Sequence, residues 1–292
     1  MVNQIPLHQA DLAPVQEAAD GTRKILPDLS YKRLSLVNVV FVGSPTGAGD
    51  WVLIDAGLPT SAETIATCAE KRFGRRPAAI VMTHAHFDHA GSVKTLAQQW
   101  DVPVYAHPLE VPYLNGTSSY PPADPTVGGG VMSLLSPLFP RSPVDLGPRV
   151  RPLPFDGSIP HMPGWGWIHT PGHAPGHVSF WRDSDRTLIV GDAFVTTGQE
   201  SAYEVAMQTP EMHGPPRYLT PDWDEAEKSV ATLAALEPEL VITGHGRPAK
   251  GAGMRTALHR LAQDFVEIAV PKHGRYVDDP AQPARPDNNA YR

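Results

Sequence analysis

Four strand-like runs in this chain each break into a loop at a residue able to bind a metal. AAIVM (78–82) runs into THAHFDHAG, WGWIHT (165–170) into PGH, TLIV into GDA, and ELVIT into GHG. The breaks deliver His84, His86, Asp88 and His89, then His173, then Asp192, then His245. Only a fold that brings four distant strand ends to one edge can use them together. In an extended chain alternate residues share a side, so His84 and His86 point the same way, as ligands of one ion must. Glycines beside His173, Asp192 and His245 permit the tight turns and close backbone approach that such an edge needs.

The elements between these breaks alternate. RLSLVNVVFVG (33–43) and WVLIDAG (51–57) predict two strands of a hairpin joined by SPTGAGD. A helix is expected over 61–73, and another over 89–100 with Val93, Leu96, Ala97 and Trp100 at helical spacing. Short strands are expected at 103–107 and 177–183. A capped helix follows from Asp222 and Glu225, and an amphipathic helix over about 253–270. Strand groups with helices between and outside them predict an α/β fold, an αββα sandwich of two mixed sheets flanked by helices. The expected organisation is one domain over 1–275 and a loose tail over 276–292.

Proline breaks this pattern. The chain of 292 residues holds 32 prolines, about twice a usual share of roughly 5%, and fourteen of them lie between Pro103 and Pro163. Such a stretch continues neither strand nor helix, so an insertion is expected at about 108–160. Its Leu134, Leu135, Leu138 and Phe139 are too apolar for a free linker. Two roles are open to it, a lid over an apolar pocket or a homodimer interface.

A net charge of -7 offers no basic surface to nucleic acid or anionic lipid. No apolar run approaches the length of a membrane span, and the N-terminus lacks a secretory pattern. The lone Cys68 excludes an intrachain disulfide and suits a reducing compartment, so a cytoplasmic protein acting on a small molecule is expected.

Nitrogen and oxygen donors without thiolate suit zinc and admit iron or manganese. Seven ligands exceed what one catalytic zinc takes, three plus a water. They suit two divalent ions sharing one carboxylate and one hydroxide. The motifs, in this order from about Asn38 to Gly246, resemble those of the metallo-β-lactamase superfamily. That resemblance implies that His84, His86 and His173 hold the first ion and Asp88, His89 and His245 the second. It implies that Asp192 bridges them and that Asp55 in LIDAG supports the metal loop without binding metal. Asp192 stands where true β-lactamases carry cysteine or serine, and His86 where flavodiiron-type oxidoreductases carry glutamate. The pattern is therefore closest to the Asp-bridged glyoxalase II and lactonase-like hydrolases.

The resemblance implies an ester, lactone or thioester hydrolase in which a metal-bridging hydroxide attacks a carbonyl, with Asp88 as the catalytic acid–base group. A mononuclear iron oxygenase similar to persulfide dioxygenases, or β-lactamase activity as a side reaction, stands as the alternative. His177 is expected to support the site from outside the ligand set. Tyr203, Met207, Met212 and Tyr218 lie in a second loop that could meet substrate.

Overall fold

The computed structural model describes residues 5–281. Among these, two sheets face each other and helices cover both outer faces. The first sheet follows chain order: Gln16–Glu17, Arg23–Leu26, Leu29–Arg33, Asn38–Val42, Val52–Ile54, Ala79–Val81, Val104–Ala106 and Val150–Pro152. Its pairing is antiparallel as far as Val52–Ile54 and parallel beyond. The second sheet orders Trp165–His169, Val178–Arg182, Thr187–Gly191, Leu240–Thr243 and Ala249–Lys250. Thr187–Gly191 and Leu240–Thr243 are parallel, so the loops carrying Asp192 and His245 leave at the same edge.

Strand alternation builds the layers. Val40, Val42, Val52, Ile54 and Val81 meet Val178, Phe180, Ile189 and Ile242 between the sheets. Their neighbours Val39, Phe41, Leu53 and Ile80 face the other way, onto Ile65, Phe73, Val93 and Leu96 of the helices Ala62–Phe73 and Val93–Trp100. Leu188, Val190 and Val241 likewise face Val230, Leu233 and Leu258 of Trp223–Ala235 and Gly251–Gln263. Truncating a buried leucine or isoleucine in any layer should cost about 2–5 kcal/mol. The first long helix stops where Gly74 adopts a left-handed φ of 59° and its N–H bonds back to Glu70. Trp223–Ala235 starts where the Asp222 side chain accepts from the Glu225 N–H at 3.0 Å, the expected cap.

Several boundaries differ from expectation. Leu34 to Val37 form a tight turn, so the strand expected from 33 begins at Asn38. The hairpin Arg23–Leu26/Leu29–Arg33 carries no clear apolar alternation, because Leu29, Ser30 and Tyr31 are buried in a row, Arg23, Ile25, Leu26, Lys32 and Arg33 are half-buried, and Lys24 is exposed. The C-terminal helix is two pieces, Gly251–Gln263 and Phe265–Ile268. The Pro-rich segment returns to the fold before 160, since Val150–Pro152 pairs with Val104–Ala106 as the sheet's last strand. A loose tail from 276 is also corrected: Tyr276 is buried with its hydroxyl donating to the Pro122 carbonyl, and the Ala281 N–H bonds to Pro221. The remainder of that stretch, 282–292, lies outside the described residues. No helix among the described residues is long and apolar enough to cross a membrane.

Candidate metal centre

The four strand ends do meet. His84, His86, Asp88, His89, His173, Asp192 and His245 are all buried. Donor atoms of His84, His86 and His173 lie within 4.8 Å of one another. The same holds for Asp88, His89 and His245, and for His84, His89 and Asp192, which link the two sets. One Asp192 oxygen, Oδ2, sits 3.0 Å from His245 Nε2, 3.4 Å from His89 Nε2 and 3.5 Å from His173 Nε2.

Hydrogen bonds behind the cluster decide which ring atom faces inward. Thr83 donates its hydroxyl to Asp55 Oδ2 at 2.8 Å, so its oxygen is left to accept from His84 Nδ1 at 3.0 Å. Asp55 also accepts from the Thr83 N–H at 2.8 Å and from His89 Nδ1 at 2.8 Å. Thr220 donates to the Pro216 carbonyl and accepts from His173 Nδ1 at 3.2 Å. His245 Nδ1 donates to the Leu36 carbonyl at 2.7 Å. Each of these four rings is therefore pinned through Nδ1 and presents Nε2 to the cluster. His86 differs: its Nδ1 faces inward, 2.9 Å from His173 Nε2.

Four of the inward atoms lack hydrogen-bond partners. His84 Nε2, His89 Nε2, Asp88 Oδ1 and Asp192 Oδ1 are buried with no hydrogen bond. Buried polar groups are nearly always satisfied, so four orphans at one point call for a cation that all of them can share. Burial and neighbouring imidazoles hold His84 and His173 well below the ordinary histidine range, and His86 at about 3. The neutral ring is the form that coordinates metal, and these three are held in it. Against the effect of burial, the Asp192, Asp55 and Asp88 carboxylates raise His89, and Asp192 and Asp88 raise His245, above the ordinary range. The residues present fit a bound metal.

His177 stands one step back. Its Nε2 accepts the Asp192 N–H at 2.9 Å, its Nδ1 faces Thr170 Oγ1 at 2.8 Å, and Ser179 continues the chain by donating to the Val190 carbonyl. Burial holds it at about 3, a neutral acceptor that orients the Asp192 backbone. Asp55 adopts a left-handed φ of 59° to aim both carboxylate oxygens at the histidine loop. Among the other histidines, His107 stacks on His169 at 4.2 Å and exposed His161 pairs with Asp50 at 2.7 Å. His213 is buried 3.3 Å from Glu200, and His8, His259 and His273 are on the surface.

The second loop divides. Tyr203 and Met207 are exposed, and Met212 is wholly buried. Tyr218 is buried beside the centre, where burial and the Asp88, Glu200 and Asp192 carboxylates push its phenol well above the ordinary range. From the insertion, Phe139 packs between Phe87 of the histidine loop, at 5.1 Å, and Tyr218, at 5.8 Å. Leu134, Leu135 and Leu138, grouped with it as lid or interface residues, are exposed at 70%, 43% and 78%.

Sequence reading passed over Glu110, which is fully buried between the histidine loop and the His173 loop. Burial pushes its carboxyl up to about 7, against the opposing pull of the Tyr120, Gly176 and Ala85 hydrogen bonds. Its only local signal is HPLE after a strand, which no spacing rule singles out.

The family model of the metallo-beta-lactamase superfamily matches residues 33–245. The chain is 47% identical over 237 residues to the probable metallo-hydrolase YflN of Bacillus subtilis, covering 80% of this chain and 90% of that protein. The probable metallo-hydrolase YybB of the same organism is 30% identical over 170 residues, 58% of this chain and 64% of that protein. A beta-lactamase domain protein from Burkholderia ambifaria superposes with a TM-score of 0.60 at 20% identity, covering 89% of this chain and 81% of that one. A B3 metallo-beta-lactamase with an active-site glutamic acid gives 0.58 at 20% identity, covering 89% and 92%. At such identities the structural likeness is one of fold.

Proposed function

The chain belongs to the metallo-beta-lactamase superfamily, and from that footing we propose that it is a dinuclear metal-dependent hydrolase of carboxylic esters, lactones or thioesters. The overlap of the donor groups carries this reading. His84, His86 and His173 would hold one ion, Asp88, His89 and His245 the other, and Asp192, grouped with His84 and His89, would span the two. The nitrogen and oxygen donors favour zinc and admit iron or manganese. When bound, the ions supply Lewis acidity that lowers the pKa of water from about 15.7 towards roughly 7 and polarises a carbonyl.

The chain's own groups do the remaining work. Asp88 Oδ1 has no hydrogen bond of its own, so it is free to take the proton of an attacking water and return it to the leaving atom. Asp55, Thr83, Thr220 and the Leu36 carbonyl fix ring orientation before substrate arrives, so little reorganisation remains at the moment of reaction. Phe139, between Phe87 and Tyr218, gives the approach an aromatic wall suited to an acyl or aryl group of a small-molecule substrate.

Two measurements test the proposal. Elemental analysis after metal supplementation should return close to two equivalents per chain, and a stable single equivalent overturns the dinuclear reading. A panel of lactones, thioesters, aryl esters, phosphodiesters and β-lactams should show turnover among the first three. Activity confined to the last two overturns the substrate class.

A further inference from the structure

We infer that Glu110 is a positioning residue for the metal centre, a carboxylate clamp that sets the distance between the two loops carrying the His84–His86–His173 set. The inference rests on the reading of those three histidines as the holders of one ion. Glu110 Oε2 accepts the Ala85 N–H at 2.9 Å, and Ala85 lies between His84 and His86. Oε1 accepts the Gly176 N–H at 2.9 Å, and Gly176 lies in the turn between His173 and His177. Ala85 belongs to the loop after Ala79–Val81 of the first sheet, and Gly176 to the loop before Val178–Arg182 of the second. One side chain therefore spans the sandwich at its functional edge.

The chemistry of the clamp is specific. Two backbone N–H donors face the two oxygens of one group, and only a carboxylate accepts on both arms. Tyr120 adds a hydroxyl that donates to Oε2 and also lies 3.0 Å from the Ala85 N–H. Its ring packs 4.2 Å from that of His86 and stacks on Tyr113 at 4.0 Å. The Gly176 arm is closed to any larger residue, since a Cβ there would stand 2.9 Å from Glu110 Cγ and from the Glu110 backbone nitrogen. Both Glu110 and Tyr120 belong to the Pro-rich segment. That segment is thus tied to the metal loops from behind as well as through Phe139 in front.

Glu110→Gln tests the clamp. The amide keeps one acceptor and turns an NH2 towards the other loop's N–H, which drives the loops apart. Competitive chelator titration of the full-length protein, with zinc and then cobalt(II), should resolve two equivalents in the wild type. In the variant the equivalent bound by the three histidines should weaken by about 10–100-fold, the range seen when a group behind a metal ligand is lost. The cobalt absorption band of that equivalent should shift, with the other equivalent little changed. Tyr120→Phe, which leaves both amide contacts in place, should weaken the same equivalent by less than about tenfold.

Unchanged affinity for both equivalents in folded Glu110→Gln overturns the clamp. So does an equal loss at both accompanied by an unchanged cobalt spectrum, since a merely structural carboxylate would behave that way. If Glu110→Gln does not fold, Gly176→Ala, which pushes the carboxylate off one loop, carries the same expectation and the same refutation. A wild type that takes up no metal overturns the functional reading itself, and a control titration separates that result from failure of the clamp.

Discussion

Ring orientation is where single residues matter most in this protein. Four of the five clustered histidines are anchored through Nδ1, by Thr83, Asp55, Thr220 and the Leu36 carbonyl. On the proposed mechanism the acid–base work would fall to Asp88, whose Oδ1 has no such anchor. Asp88 contributes Oδ2 at 3.4 Å from His245 Nε2, while its Oδ1 has no partner. Asp88→Asn keeps the shape and removes the proton acceptor. Turnover should fall at least about a hundredfold, as for loss of a positioned acid–base group, with KM far less affected. The check is steady-state kinetics on protein shown to carry its full metal complement, and undiminished turnover there would remove Asp88 from the mechanism. The seven clustered residues were legible because each ends a recognisable strand beside a glycine or in the HxHxDH run. Glu110, Thr83 and Thr220 were not legible as partners. They act through hydrogen bonds to positions 25 and 66, 28, and 47 residues away, and local spacing does not encode these.

At the level of elements, most strands and long helices followed their periodicity, the hairpin Arg23–Leu26/Leu29–Arg33 had none to follow, and the Pro-rich segment did not follow its composition. Its glycine run explains how it is seated. A Cβ on Gly130 would lie 1.9 Å from the Glu200 carbonyl oxygen, and one on Gly128 2.2 Å from Glu200 Cγ, so the segment lies flush against the second loop. The Met132 N–H bonds to that same carbonyl at 3.1 Å. The short helix Val131–Leu135 then presents Leu134 outward, and the turn Ser136–Leu138 presents Leu138 outward, while Phe139 turns in. Apolar composition alone could not divide these residues, because the segment is too short and broken to set a period. The division has a kinetic consequence. Phe139→Ala should raise KM for substrates with an apolar acyl or aryl group by about tenfold, the worth of one well-packed apolar contact of about 1.4 kcal/mol. Leu134→Ser and Leu138→Ser should leave KM within about twofold while favouring solubility. A KM that rises with the leucine changes and ignores Phe139 would reverse this assignment and move the substrate to the outer face.

Across the whole molecule the clustered ligands lie where the two sheets meet. His84, His86, Asp88 and His89 come from the edge of the first sheet, and His173, Asp192 and His245 from the second. The interior between the sheets is apolar, built from residues such as Val40, Ile54, Phe180 and Ile242. At the edge, that apolar contact gives way to unpaired imidazole and carboxylate atoms. Each unsatisfied buried atom costs about 1–3 kcal/mol unless something bridges it. Metal held at a concentration a hundredfold above its Kd would stabilise the native state by about 2.7 kcal/mol per site. For a chain of this size each kcal/mol moves Tm by roughly 2–4 °C. Chelation should therefore lower Tm by about 5–10 °C per ion lost, and added zinc should restore it. Because the ligands span both sheets, hydrogen exchange should quicken together in the first-sheet strand Ala79–Val81 and the second-sheet strand Leu240–Thr243. An unmoved Tm, or quickened exchange confined to the segment around 126–139, would mean that the sheets hold together without the ions. The metal centre would then be a passenger on a sandwich that packing alone completes.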